Sequence, residues 1–190
     1  MHDFVTILKW YIKGKPSPAP HIIKEKMITK NRGNRTILIE TGTYLGEMVI
    51  KMRHNFQKIY SIELDKKLFE AAQERFQHDQ AIEILNGDSG DVLQMLLPKI
   101  TAPTFFWLDG HYSGGVTSKA NLNTPIYREL TTILAHPVSD HIILIDDARL
   151  FIGEHDYPTL LDLENFISQR TSGHTFSVIN DIIRITYQRK

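Results

Sequence analysis

The stretch Ile39-Glu40-Thr41-Gly42-Thr43-Tyr44-Leu45-Gly46 decides how this chain is read. An apolar run from Thr36 to Ile39 leads into it and a helical stretch starts at Leu45, so it is the turn between a strand and a helix. Glycine at 42 and 46 lets the backbone bend sharply and approach a ligand where a Cβ would intrude. Taken alone, the pattern is a weak signal, because a tight turn with nothing bound can show it too. The chain lacks both the Gly-x-Gly-x-x-Gly phosphate turn and the Gly-Lys-Ser/Thr of a P-loop, which weakens any case for pyrophosphate binding.

Outward from this turn the rhythm is regular. Apolar runs at Lys58 to Ile62, Ile82 to Leu85, Thr104 to Leu108 and His141 to Ile145 predict strands, and Lys66 to Phe76 predicts a helix. Short apolar runs alternating with helices imply a parallel sheet covered on both faces, an α/β fold. Thr124 before Pro125 marks an N-cap opening a helix to about Ala135. Leu160, Leu163, Phe166 and Ile167 mark another. In the tail, TFSVINDIIRITY, two β-rich runs flank Asn180-Asp181, a pair that tolerates the positive φ of a hairpin turn. The sheet should therefore end antiparallel. Phe105, Phe106 and Trp107 are expected in the core.

Residues 1–32 stand apart as a helical extension and proline-rich linker, ahead of one domain over 33–190. Phe4, Ile7, Leu8, Tyr11 and Ile12 fall at helical spacing, Pro16, Pro18 and Pro20 favour an extended connection, and a second helix is predicted over about His21 to Thr29. The apolar stripe suggests substrate capping or self-association into a homo-oligomer. With 190 residues and 42% hydrophobic content the chain suffices for one core. Lys plus Arg and Asp plus Glu are both 22, so neither nucleic acid nor an anionic membrane is the expected partner. The absence of cysteine excludes disulfides, thiolate metal sites and a Cys nucleophile. No signal-peptide pattern and no long apolar run is present, so a cytoplasmic protein is expected.

Candidate functional residues gather at the predicted strand ends. Glu63 closes the second strand about 20 residues after the glycine turn, where a carboxylate can accept hydrogen bonds from ribose hydroxyls. Asn86-Gly87-Asp88-Ser89 follows the third strand; Asp88 or Ser89 could meet an adenine edge, although Asn-Gly is also an ordinary turn. Asp109 follows the fourth strand and Asp146 and Asp147 the fifth. Parallel strands present these acids at one edge, and three crowded carboxylates are best explained by a hard divalent cation, Mg²⁺ or Mn²⁺.

Together these motifs resemble those of class I S-adenosylmethionine-dependent methyltransferases. More narrowly, Glu40-Thr-Gly42-Thr-Tyr44-Leu-Gly46 resembles the Glu-x-Gly-x-Tyr-x-Gly turn of catechol O-methyltransferases, across about residues 36 to 187. The resemblance implies a Rossmann-like seven-stranded sheet with a C-terminal antiparallel hairpin. It also implies S-adenosylmethionine held by Glu40, Gly42, Tyr44, Gly46, Glu63, Asp88, Ser89 and Asp109. Asp109, Asp146 and Asp147 match the Mg²⁺ positions of catechol O-methyltransferases and of the macrocin and novobiocin sugar O-methyltransferases. In the sugar enzymes a second Asp of the fourth-strand motif is the general base; here His111 stands there. Base, metal ligand and partner of a neighbour are all open to it.

The implied activity is Mg-assisted O-methylation of a small molecule or sugar, with His111 and Asp109 as the catalytic pair. A polar loop between Ser113 and Asn123 could close over the substrate. Two rivals are a nucleotide-dependent oxidoreductase, weakened by the missing third glycine, and a binding module without turnover, weakened by retention of all three aspartates.

Overall fold

The computed structural model describes residues 2–110 and 124–187. Among them the elements run α1 (His2–Ile12), α2 (His21–Asn31), β1 (Ile37–Thr41), α3 (Glu47–Met52), β2 (Lys58–Glu63), α4 (Lys66–Phe76) and β3 (Ile82–Asn86). The second half follows with α5 (Ser89–Leu96), β4 (Phe105–Leu108), α6 (Ile126–Leu134), β5 (Ile142–Ile145), α7 (Leu160–Ser168), β6 (His174–Ile179) and β7 (Ile182–Tyr187). Helix α5 was not foreseen from its short sequence, SGDVLQML, yet Asp88 caps it by accepting the Gly90 N–H. Helix α6 starts one residue later than expected, with Pro125 and not Thr124 at the N-cap position, although the Thr124 hydroxyl accepts the Ile126 N–H at 3.3 Å.

The described strands form one seven-stranded sheet in the order β3-β2-β1-β4-β5-β7-β6. β1 to β5 pair in parallel, and β7 is antiparallel to both β5 and β6. Successive strand side chains alternate between faces, so each strand feeds two cores. Leu38, Phe105, Trp107 and Leu144 pack with Ile23, Ile28 and Val49 on one face. Ile39, Phe106, Ile143 and Ile145 pack with Leu93, Leu130 and Leu163 on the other. The predicted burial of Phe105, Phe106 and Trp107 is met.

The N-terminal helices join the first of these cores. Ile23, Met27 and Ile28 of α2 are buried there, as are Trp10 of α1 and Ala19 of the linker. Trp10 faces inward and donates its indole N–H to Pro16 O, which leaves Phe4, Leu8, Tyr11 and Ile12 exposed. The apolar stripe read from sequence is therefore mostly outside. Among the described residues no helix is long and apolar enough to cross a membrane.

Asn180 and Asp181 sit at φ 56° and 64° and close the β6-β7 hairpin. Left-handed backbone costs an ordinary L-residue about 1–2 kcal/mol. Asn180→Val should lower unfolding free energy by about that much, while Asn180→Gly should leave it unchanged or raise it, as read by urea denaturation.

Candidate functional site

The strand order reverses between β1 and β4, and the glycine turn lies at that point. Thr41 O accepts the Asp109 N–H at 3.0 Å and Thr41 Oγ1 accepts the Gly110 N–H at 3.2 Å, tying the ends of β1 and β4 together. Gly42, at φ +88°, lies so close that a Cβ on it would fall 2.5 Å from the Asp109 carbonyl oxygen. Gly46, at φ +72°, would place a Cβ 2.7 Å from the Phe76 ring of α4. Both glycines are thus required by backbone conformation and by space.

Between them, Tyr44 holds φ 48° and donates its N–H to Glu63 Oε2 at 2.7 Å. Glu63 Oε1 accepts the Asp65 N–H at 2.9 Å. The carboxylate at the end of β2 therefore fixes the glycine turn. Each of its oxygens has two lone pairs, so both can still accept a ligand hydroxyl. Burial raises the Glu63 pKa against these hydrogen bonds.

Glu40, 2% exposed, lies beneath the turn. Ser61 Oγ donates to Glu40 Oε2 at 2.6 Å and pairs with Thr43 Oγ1 at 2.7 Å. Burial pushes the Glu40 carboxyl up to about 8; the Ser61 bond opposes this, and the Asp109 and Glu63 charges add to it. Asp88 accepts from Arg128 at 2.9 Å, and Ser89, buried, donates to Glu129 Oε1 at 2.6 Å. Both stand at the sheet edge where the adenine contact was expected, each bound to a residue of α6.

At the end of β5, Asp146 donates its N–H to Leu108 O at 3.0 Å, which sets it beside the end of β4. Its carboxylate is 1% exposed and ion-paired through Oδ2 with the Lys24 ammonium of α2. Lys24 Nζ is also 4.0 Å from Asp147 Oδ1. Burial lowers the Lys24 pKa, but Asp146, Asp109 and Asp147 outweigh it and hold the ammonium charged. Asp147, at φ 57°, is bound by Arg149 Nη1 at 2.5 Å, and Arg149 is in turn paired with Asp181 of the hairpin turn. Burial and the neighbouring Asp147 raise the Asp146 pKa, against the pull of Lys24.

The structure thus brings Asp109, Asp146 and Asp147 together around an ammonium. Among the described residues no group of three His, Cys, Asp or Glu side chains is set to hold a metal ion. As arranged, with chain cations already on Asp146 and Asp147, the acids do not fit a divalent ion. His111 and the loop 113–123 lie outside the described residues.

Three contributors were missed from sequence. Lys24 looks like a surface charge in HIIKEK, and its partner is 122 positions away. Glu129 is buried in α6 between the apolar positions Ile126, Leu130 and Ile133, and an acid on such a face was a readable signal. Tyr157, buried, lines a small cavity with Gly110, Glu129 and Asp146. Burial and the charges of Asp147 and Asp109 raise its pKa.

The sheet order and hairpin are those of class I S-adenosylmethionine-dependent methyltransferases, and the chain has that fold. No family model matches it, and no curated protein matches it in sequence. Solved structures match it in fold. The Podospora anserina methyltransferase PaMTH1, bound to S-adenosylhomocysteine, is 16% identical with a TM-score of 0.62, over 99% of this chain and 86% of that one. The O-methyltransferase TomG of Streptomyces achromogenes, involved in tomaymycin synthesis and in complex with S-adenosylmethionine, is 17% identical at 0.61, over 98% and 89%. MycE of the mycinamycin pathway, in complex with Mg and S-adenosylhomocysteine, is 12% identical at 0.59, over 88% of this chain and 48% of its own.

Two outcomes follow from the geometry. Gly42→Ala should fold less stably and lose most affinity for S-adenosylhomocysteine in calorimetric titration, because the new Cβ meets rigid backbone. The raised Glu40 pKa means that the native state holds its proton where the unfolded chain releases it. Its contribution to stability is full below about pH 4.5 and is lost as pH rises through about 8. Glu40→Gln should flatten the decline in melting temperature across that window.

Proposed function

We propose that this chain is an S-adenosylmethionine-dependent methyltransferase that methylates a hydroxyl of a small molecule or sugar. The observation that supports the proposal is the contact of Gly42 with the end of β4, which sets the glycine turn beside the strand end that carries Asp109. Glu63 supports the cofactor assignment, because its carboxylate has acceptor capacity for a ribose diol beside the two amides it already binds. S-adenosylmethionine supplies an electrophilic methyl group on a sulfonium.

The chain's own residues then have separate tasks. Glu63 orients the turn and the ribose, and Glu40, kept protonated by burial, supports the turn from below. His111 is assigned the proton of the acceptor hydroxyl, and Asp109, two residues before it, bounds the acceptor side. As the acceptor oxygen attacks the methyl carbon, the carbon–sulfur bond breaks and the sulfur keeps its electron pair. Holding the two reactants in line accounts for much of the acceleration.

Assistance by Mg²⁺ or Mn²⁺ is the second reading. Two observations favour it: MycE, similar in fold, is seen with Mg, and Asp146 Oδ1 is buried with no hydrogen-bond partner among the described residues. It requires Lys24 to leave Asp146.

Titration with S-adenosylhomocysteine tests the cofactor assignment. Micromolar binding, and weaker binding of NAD, is expected; the reverse order would favour an oxidoreductase. Glu63→Ala should weaken that binding by about 1.5–3 kcal/mol per lost ribose bond. Circular dichroism on the same sample must show a folded chain, because Glu63 also holds the Tyr44 and Asp65 amides. Unchanged affinity in folded protein would reject the assignment.

A further inference from the structure

Lys24 is not a loose surface side chain. It projects from a helix whose Ile23, Met27 and Ile28 are buried against the sheet, and it reaches an acid 122 residues further on. The acid it meets is almost wholly buried, and the other oxygen of that acid, Asp146 Oδ1, is buried with no hydrogen-bond partner among the described residues. That oxygen has capacity for a further hydrogen bond. The charges of Asp109 and Asp147 also act on the ammonium, and Arg149 bonds Asp147 Oδ1, the same oxygen that Lys24 approaches.

Charge decides what else can enter. Lys24 and Arg149 bring two positive charges to four carboxylates, those of Asp109, Asp146, Asp147 and Asp181. A dication bound through Asp146 would lie within a few ångströms of an ammonium and be repelled by it. Lys24 and a divalent cation therefore compete for one position. An ammonium can also do part of a cation's work. It has three donors, so one bonded to Asp146 leaves others for an acceptor oxygen.

We propose that Lys24 is the resident cation of this site, its ammonium taking among Asp109, Asp146 and Asp147 the place of a divalent metal and positioning the acceptor hydroxyl. The positioning role rests on the methyltransferase reading; occupation of the acidic pocket does not. Lys24 comes from the segment ahead of β1, outside the stretch that carries the methyltransferase motifs.

The test is Mn²⁺ binding to the full chain, followed by electron paramagnetic resonance of the free ion, in wild type and in Lys24→Ala. Lys24→Ala should bind Mn²⁺ at least tenfold more tightly than wild type, and adding Asp146→Asn should remove that gain. Equal affinity of wild type and Lys24→Ala, whether strong or undetectable, overturns the proposal, as does a gain that survives Asp146→Asn. If Lys24→Ala does not fold, Lys24→Gln keeps a donor towards Asp146 without the charge and serves in the same comparison. S-adenosylhomocysteine titrated into the same proteins separates the two readings. Failure to bind in every protein defeats the methyltransferase reading, while the Mn²⁺ comparison still decides who holds the pocket.

Discussion

Where Gly42 meets the carbonyl of Asp109 there is no room for a side chain, and the arrangement of the site depends on that contact. Two strands adjacent in the sheet but distant in sequence have their ends joined through Thr41, once by its carbonyl and once by its hydroxyl. Parallel pairing already brings the carboxyl ends of β1 to β5 to one edge. The contact at Gly42 then fixes how far the turn after β1 stands from the acids after β4 and β5. A looser contact would leave two separate loops; this one gives a shared wall.

That edge carries many acids with little exposure, and each is accommodated differently. Glu40 keeps its proton and accepts from Ser61. Glu63 is satisfied by two backbone amides, an arrangement that ties its charge to the shape of the turn. Asp88 caps a helix and meets Arg128, Asp146 meets Lys24, and Asp147 meets Arg149. Burying a carboxylate without a partner costs several kcal/mol, so the choice of partner is part of how each residue can act. Burial raises the Glu40 pKa and so favours a neutral carboxyl that does not repel the other acids, whereas Asp146 and Asp147 are met by the cations Lys24 and Arg149.

The sheet was legible because its signals are local. Apolar runs bounded by turns need no knowledge of partners, and Asn180-Asp181 marks its own hairpin through residue types that tolerate positive φ. The convergence of the glycine turn, Glu63 and the three aspartates was legible for the same reason, since strand ends of a parallel sheet share an edge whatever their order. Ion pairs across the fold were not. Nothing in HIIKEK distinguishes Lys24 from Lys26, because only tertiary packing turns one of them towards Asp146. The inward face of α1 was not legible either: Trp10, outside the stripe, gains its indole bond and its burial, while Phe4, Leu8, Tyr11 and Ile12 stay exposed.

The boundary near residue 32 also takes on a different meaning. Read by motif, the catalytic pattern begins after it; read by packing, α2 belongs to the same core as Leu38, Phe105 and Leu144. A helix docked by three buried apolar side chains is rigid enough to hold a charge in place, which a loop at the same edge would do less accurately. Strands, glycine turn and the buried face of α2 are constrained by the fold, but a partly exposed side chain such as Lys24 can change while Ile23, Met27 and Ile28 keep the helix in place. A charge supplied from α2 is therefore the sort of feature by which chains sharing this fold can differ in how they handle an acceptor, even where the cofactor side stays the same.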